Sequence, residues 1–364
     1  MKTKSFYLAL ILLSFISWSC TNKDDVSQAS LKTSISKNVQ ELTSTLDGIK
    51  ASAGYQVLAT PGSPSGVSMS KVYSPVIDST FNSIVLADIM GEYDYNKSSN
   101  YKKWKFSLLN FFSKTADNAT QMIVRLPEEK VKKPWTLTRY VAADTLLTNN
   151  YVLALNDYQY SFNRFLGWDY TMASTINIKN VDAGALKIKS SNSRAAGYKF
   201  NSEFAFANGS VAKCDYSTGD TAVATYAITN GTKTVYEEKY TAIKAATNSR
   251  HRENYYALTI GDVQIIRNSG INSLDSAKVY VAGVLQLKSK VEIVDVATDS
   301  VEVSVTNHKR ELKITFDDGT SSTISSLLGT SVTTIRDLFV ALRQTYFTAN
   351  VVDVIAWDIY INKK

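Results

Sequence analysis

The chain is short of the residues from which most catalytic sites are built: of 364 residues, only two are Cys and two are His. Both histidines stand among cations, His251 between Arg250 and Arg252, and His308 before Lys309 and Arg310. A Ser-His-Asp triad would need one of them to become an imidazolium beside those charges, which oppose it. A serine hydrolase is therefore disfavoured. No Gly-x-Ser-x-Gly elbow, His-Glu-x-x-His helix, phosphate-cradling Gly-rich loop or Cys-x-x-Cys pair occurs, and nothing has the spacing of a zinc site. Asp317-Asp318-Gly319 lacks the alternating acids and distal Glu of a calcium loop and reads as a turn. The expectation is of a protein that is not an enzyme and that carries no metal or cofactor. No apolar run reaches the roughly 20 residues a mature membrane-spanning helix needs. The Lys and Arg that make the formal charge +7 are scattered rather than clustered, which speaks against a nucleic-acid partner.

Aromatic and β-branched residues are abundant instead. Tyr (21), Phe (14) and Trp (5), with many Val, Ile and Thr and only five prolines to interrupt them, suit half-buried pleated strands. The expected fold class is mainly β: an antiparallel sandwich or barrel-like sheet built of hairpins, with one N-terminal and one C-terminal helix. Leu31, Ile35, Val39, Leu42, Leu46 and Ile49 recur at helical spacing, which predicts a helix of about 25 residues packing on the domain that follows. Val332, Ile335, Phe339, Leu342 and Tyr346 predict the C-terminal one, starting near Thr330 or Ser331. The final run, Val351 to Ile361, is apolar on both faces apart from Asp353 and Asp358 and reads as a central strand.

The hairpins show a weak internal repeat. VLADIMGEYDYN (85–96) aligns with VLALNDYQYSFN (152–163), and GDVQIIRN (261–268) is a poorer third copy. Each precedes a polar loop and a second strand-like run, so the repeated unit is a long β-hairpin. Asn230-Gly231 between two alternating segments predicts a two-residue hairpin turn, and Val301 to Phe316 a further hairpin across residues 307–310. Cys214, in the alternating segment Ser210 to Ser217, is expected to act as a small buried apolar residue.

The first 25 residues carry an address. Lys2 and Lys4 precede an apolar stretch from Phe6 to Trp18, and small residues lead to Cys20, the layout of a signal peptide over residues 1–19. This junction resembles the lipobox of bacterial lipoproteins, in the relaxed form found in the Bacteroidetes, and Lys23-Asp24-Asp25 resembles that group's surface-export signal. The resemblance implies lipidation of Cys20, membrane attachment through the N-terminal lipid, and an outer-membrane, cell-surface location. Five Asp-Ser/Thr-aliphatic or small triplets, such as Asp144-Thr145-Leu146, resemble the group's O-glycosylation sites. Residues 20–75 then form the anchor, the first helix and a Pro/Gly/Ser linker, and residues 76–364 a β-rich domain of one or two subdomains.

Aromatic clusters beside the repeated hairpin loops are the remaining functional signal. Trp168, Tyr170, Tyr158, Trp104 and Tyr101 are the candidate ligand-binding residues, with Trp168 foremost because Phe165-Leu166-Gly167-Trp168 sets an aromatic in a Gly-containing turn. Such faces suit a glycan or a surface protein. The leading expectation is a non-enzymatic binding module. The alternatives are a structural adhesin or assembly subunit that joins neighbours through sheet edges, and a carbohydrate-active hydrolase using two facing carboxylates.

Overall fold

The computed structural model describes residues 30–58, 83–97, 111–133, 136–137, 140–163, 165–244, 252–270, 273–296 and 309–363. Cys20, Tyr101, Trp104, both histidines, most of the expected linker and the first arm of the 301–316 hairpin lie outside these residues. The architecture is mainly β, as expected. Eleven strands follow one another as an antiparallel meander, each hydrogen-bonded to the next. They are β5 (Tyr151–Asn163), β6 (Gly167–Ile178), β7 (Val181–Ser193), β8 (Gly197–Phe206), β9 (Ser210–Ser217), β10 (Thr221–Asn230), β11 (Lys233–Lys244), β12 (Arg252–Ile260), β13 (Val263–Gly270), β14 (Ser273–Val281) and β15 (Val284–Leu285).

Four earlier strands complete this sheet. They are β1 (Ser83–Val85), β2 (Gly91–Tyr95), β3 (Phe112–Ala116) and β4 (Met122–Leu126). One edge of β5 is shared: β4 pairs with its first half and β1 with its second, on either side of a bulge after Leu155. β2 runs parallel to β4, and the order ends at β3 on one side and β15 on the other. A second sheet holds only β16 (Lys290–Val296), β17 (Lys309–Thr315) and β18 (Ser321–Thr323). Among the described residues the large sheet is open. Its buried face is covered by helices and the small sheet, not by a second sheet of matching size.

The strands read as they do because burial alternates along them. In β6, Tyr170, Met172, Ser174, Ile176 and Ile178 face inward and the residues between them outward. Helix α1 (Leu31–Lys50) starts at Ser30, whose side chain accepts the Thr33 N–H, and sets Leu31, Ile35, Leu42, Leu46 and Ile49 into the core. It lies against β11, β12 and β13. The short α2 (Ala53–Leu58) covers β6 and β7, and one helical turn, α3 (Leu86–Ile89), follows β1. α4 (Glu128–Lys132), α5 (Ile324–Leu328) and α6 (Ser331–Lys363) complete the helices.

Three expectations change. The run from Val351 to Ile361 is the second half of α6, not a strand: Val352, Ile355, Ala356 and Ile359 continue the buried spacing of Ile335, Leu338 and Leu342. Tertiary burial overrides the β-branched composition. The first repeat copy is not one strand, since α3 interrupts it, whereas the second and third copies form the β5–β6 and β13–β14 hairpins. The β10–β11 turn falls one residue later than read, at Gly231-Thr232, with Gly231 at φ +57. Asn230 stays in the ladder because it pairs with both Ser210 and Lys233, and an irregularity after Ile228 absorbs the shift.

Candidate functional site

The expected aromatic residues divide by strand parity. Tyr158 on β5 and Tyr170 on β6 face inward and are 3% and 5% exposed. Their rings meet edge to face with centroids 5.9 Å apart, beneath α6. They are core residues, not the loop-borne faces expected, because both strands run past them to the turn and the bulge after Leu155 brings Tyr158 to the face that Tyr170 already takes in β6. Trp168 shares their face. It lies in β6 rather than in the turn, half-buried and 6.1 Å from the Tyr198 ring. The residues that do protrude from that turn are Phe165 and Leu166, 83% and 71% exposed. Cys214 is half-buried at the edge of the core.

Under the aromatic pair lies an acid that the strand reading placed in a sheet. Tyr158 Oη donates to Asp353 Oδ1 of α6 at 3.1 Å. Tyr170 Oη lies 3.4 Å from Met172 Sδ but also faces the carboxylate, which is the stronger acceptor. Although Asp353 as a residue keeps a partly accessible surface, burial of its carboxyl pushes the pKa up to about 7, and the two tyrosine hydrogen bonds pull it back. The folded value is above the unfolded one. Its contribution to stability is therefore complete below about pH 4 and is lost as pH rises through about 7. Asp353→Asn keeps an acceptor for Tyr158 and is expected to remove this loss. The variant should be more stable than wild type at about pH 8, by on the order of 2 kcal/mol, and similar below about pH 4. Urea midpoints at the two pH values check it; an unchanged pH slope in the variant would contradict it.

The outward face of the same strands forms a concavity. Strand register sets Asp169, Ser191, Lys199 and Ser217 in one row across β6 to β9, and Thr171, Lys189, Asn201 and Asp215 in the next. These side chains alternate with buried Tyr170, Ser190 and Phe200, and they bound a trough of about 430 Å3. Neighbouring strands lie about 4.8 Å apart, so the trough is roughly 15 Å long. Asn201 Nδ2 donates to Asp215 Oδ1, fixing the amide and leaving its carbonyl turned away from that bond. The row beyond is a charge ladder in which Glu203 takes Lys213 at 3.1 Å and Lys187 at 3.8 Å. Lys189 and Lys199 make no such pair among the described residues.

Donors and acceptors of this kind on a fixed sheet can hydrogen-bond a polar ligand; the two lysines stand on the central strands β7 and β8, and Asp169 and Asp215 balance them on the flanking β6 and β9. Sequence alone hides the trough. Each polar residue looks like ordinary strand solvation, and only the lateral register of four strands reveals the rows. Among the described residues no group of His, Cys, Asp and Glu could hold a metal ion, and no helix is long and apolar enough to cross a membrane. No protein-family model, curated protein or solved structure matches this chain.

Proposed function

We propose that this chain is a cell-surface lipoprotein, anchored through Cys20, whose β domain is a non-enzymatic glycan-binding module. The observation that supports it is the outward trough of about 430 Å3, with its two registered rows of hydroxyl, amide and charged side chains. Lys189 and Lys199, on the two central strands, favour a glycan whose carboxylate or sulfate groups seat mid-trough, with its hydroxyls toward Asp169 and Asp215 on the flanking strands. The anchor places the sheet outside the cell, where such polymers are met. Thr145 and Thr221 of the Asp-Ser/Thr triplets are exposed, as glycosylation there would require.

One experiment on cells separates anchor from site. Cells expressing the chain are expected to capture a labelled acidic polysaccharide from a panel of neutral and acidic ones. Cys20→Ser should shed the protein and lose capture. Asn201→Ala should stay on the surface and bind at least about tenfold less, since it loses one polar contact and frees Asp215. Capture unaffected by Asn201→Ala would move the site; retention of Cys20→Ser on the membrane would remove the anchor.

A further inference from the structure

A separate cleft lies on the opposite face of the sheet and is independent of the glycan reading. It is bounded by β11, β12 and β13 on one side, and by β16, β17, α5 and the start of α6 on the other, enclosing about 410 Å3. Leu258, Ile293, Leu312, Ile324, Leu328 and Val332 give it an aliphatic wall. Small-molecule sites have this form: mostly apolar, of some hundreds of Å3, with a few convergent polar groups.

Those polar groups are not equivalent. Glu311 Oε1 accepts the Ser325 backbone N–H at 2.6 Å, where α5 begins, and both Glu311 and Arg267 have further partners. Glu238 is different. Its Oε1 accepts from Tyr256 Oη at 3.0 Å and its Oε2 from Tyr236 Oη at 3.2 Å. Among the described residues no cation pairs with it. Both phenols are held well above their ordinary pKa, by burial first and by the Glu238 charge second, so they remain neutral donors. Two neutral hydroxyls orient the carboxylate without cancelling its charge. A carboxylate offers about four lone-pair sites, and two remain for a further donor.

We propose that this cleft binds an amphiphilic organic cation, with a primary ammonium group set against Glu238 and an aliphatic tail along the Leu258, Leu312 and Leu328 wall. The head supplies the missing countercharge and fills the open acceptor sites. The tail buries apolar surface that the cleft otherwise leaves to water.

Titration calorimetry with octylammonium chloride, and with octanoate as the charge-reversed control, tests this. Among the described residues every core residue lies at or beyond Leu31, so the chain from Val26 onward carries that core. Saturable 1:1 binding of octylammonium is expected, with octanoate at least about tenfold weaker. Glu238→Gln keeps a carbonyl acceptor for one tyrosine, offers an amide N–H that the other phenol oxygen accepts, and removes the charge, so it should weaken octylammonium by about tenfold or more. Leu312→Trp should fill the cleft and abolish binding, while Asn201→Ala, on the other face, should leave it unchanged. Equal binding of octanoate, unchanged binding by Glu238→Gln, or no saturation by octylammonium would each overturn the proposal. Glu238→Gln alone decides the matter should Leu312→Trp fail to fold.

Discussion

Lys130→Met is expected to lower the stability of the fold by about 3 to 5 kcal/mol, among the largest effects of any single substitution here. Lys130 Nζ lies 2.7 Å from Asp144 Oδ2, and the two side chains are only 4% and 5% exposed. The same ammonium donates to the Thr136 carbonyl at 3.1 Å and sits 5.7 Å from the centre of the Tyr95 ring. Asp144 Oδ2 in turn accepts the Val141 N–H at 3.2 Å. The pair thus ties α4 to the 3-10 helix at Ala142–Leu146, across the long connection from β4 to β5. Met fills much of the Lys volume but leaves the carboxylate buried without its cation. The double variant Lys130→Met, Asp144→Leu removes the unpaired charge and should regain most of the loss, short of the Val141 contact. Urea midpoints of wild type, single and double variants measure this. A single variant within about 1 kcal/mol of wild type would show that the pair is solvated and exchangeable.

Gly184→Ala is expected to cost about 3 kcal/mol or more, by a different route. Gly184 has φ +128 within β7, and a Cβ there would stand 2.1 Å from the Ala205 carbonyl oxygen of β8. The backbone takes this form at an irregularity opposite Ile176, where the Asp182 side chain accepts the Gly184 N–H at 2.9 Å. α2 packs on the same place: a Cβ at Gly54 would meet the Ala183 carbonyl at 2.5 Å. Neither carbonyl can yield without disturbing the ladder. Gly231→Ala is the control, with φ +57 but nothing within 4 Å, so only the conformational cost of about 1 kcal/mol applies. Comparable losses in the two variants would mean that β7 adapts and that the close approach is unimportant.

The parts of the fold legible from sequence are those where one residue's neighbours along the chain decide its face. The apolar spacing from Leu31 to Ile49 gave α1, and the alternation in β5 and β6 gave their hairpin. Val351 to Ile361 has the composition of a buried strand, and only its phase with Ile335 and Leu342 shows α6 continuing. Tyr158 and Tyr170 lie on the expected strands but face the core: β6 keeps one alternation from Tyr170 to Ile178, and the one-residue bulge in β5, which the sequence does not mark, sets Tyr158 on the same side. The trough was out of reach for a related reason. Asp169, Lys199 and Asp215 are far apart in sequence, and strand order brings them together. At Glu238, Tyr236 is a neighbour two residues away on β11, but Tyr256 comes from β12 and depends on strand order.

The most direct test of the account is titration of the chain from Val26 onward with the acidic polysaccharide selected on cells, run in parallel on Asn201→Ala and Trp168→Ala. Trp168 packs inward on Tyr198, whereas Asn201 stands in the trough. Saturable binding by wild type, retention in Trp168→Ala and a loss of about tenfold or more in Asn201→Ala are expected. Loss in Trp168→Ala with retention in Asn201→Ala, or no saturable binding by the wild-type chain, would contradict it.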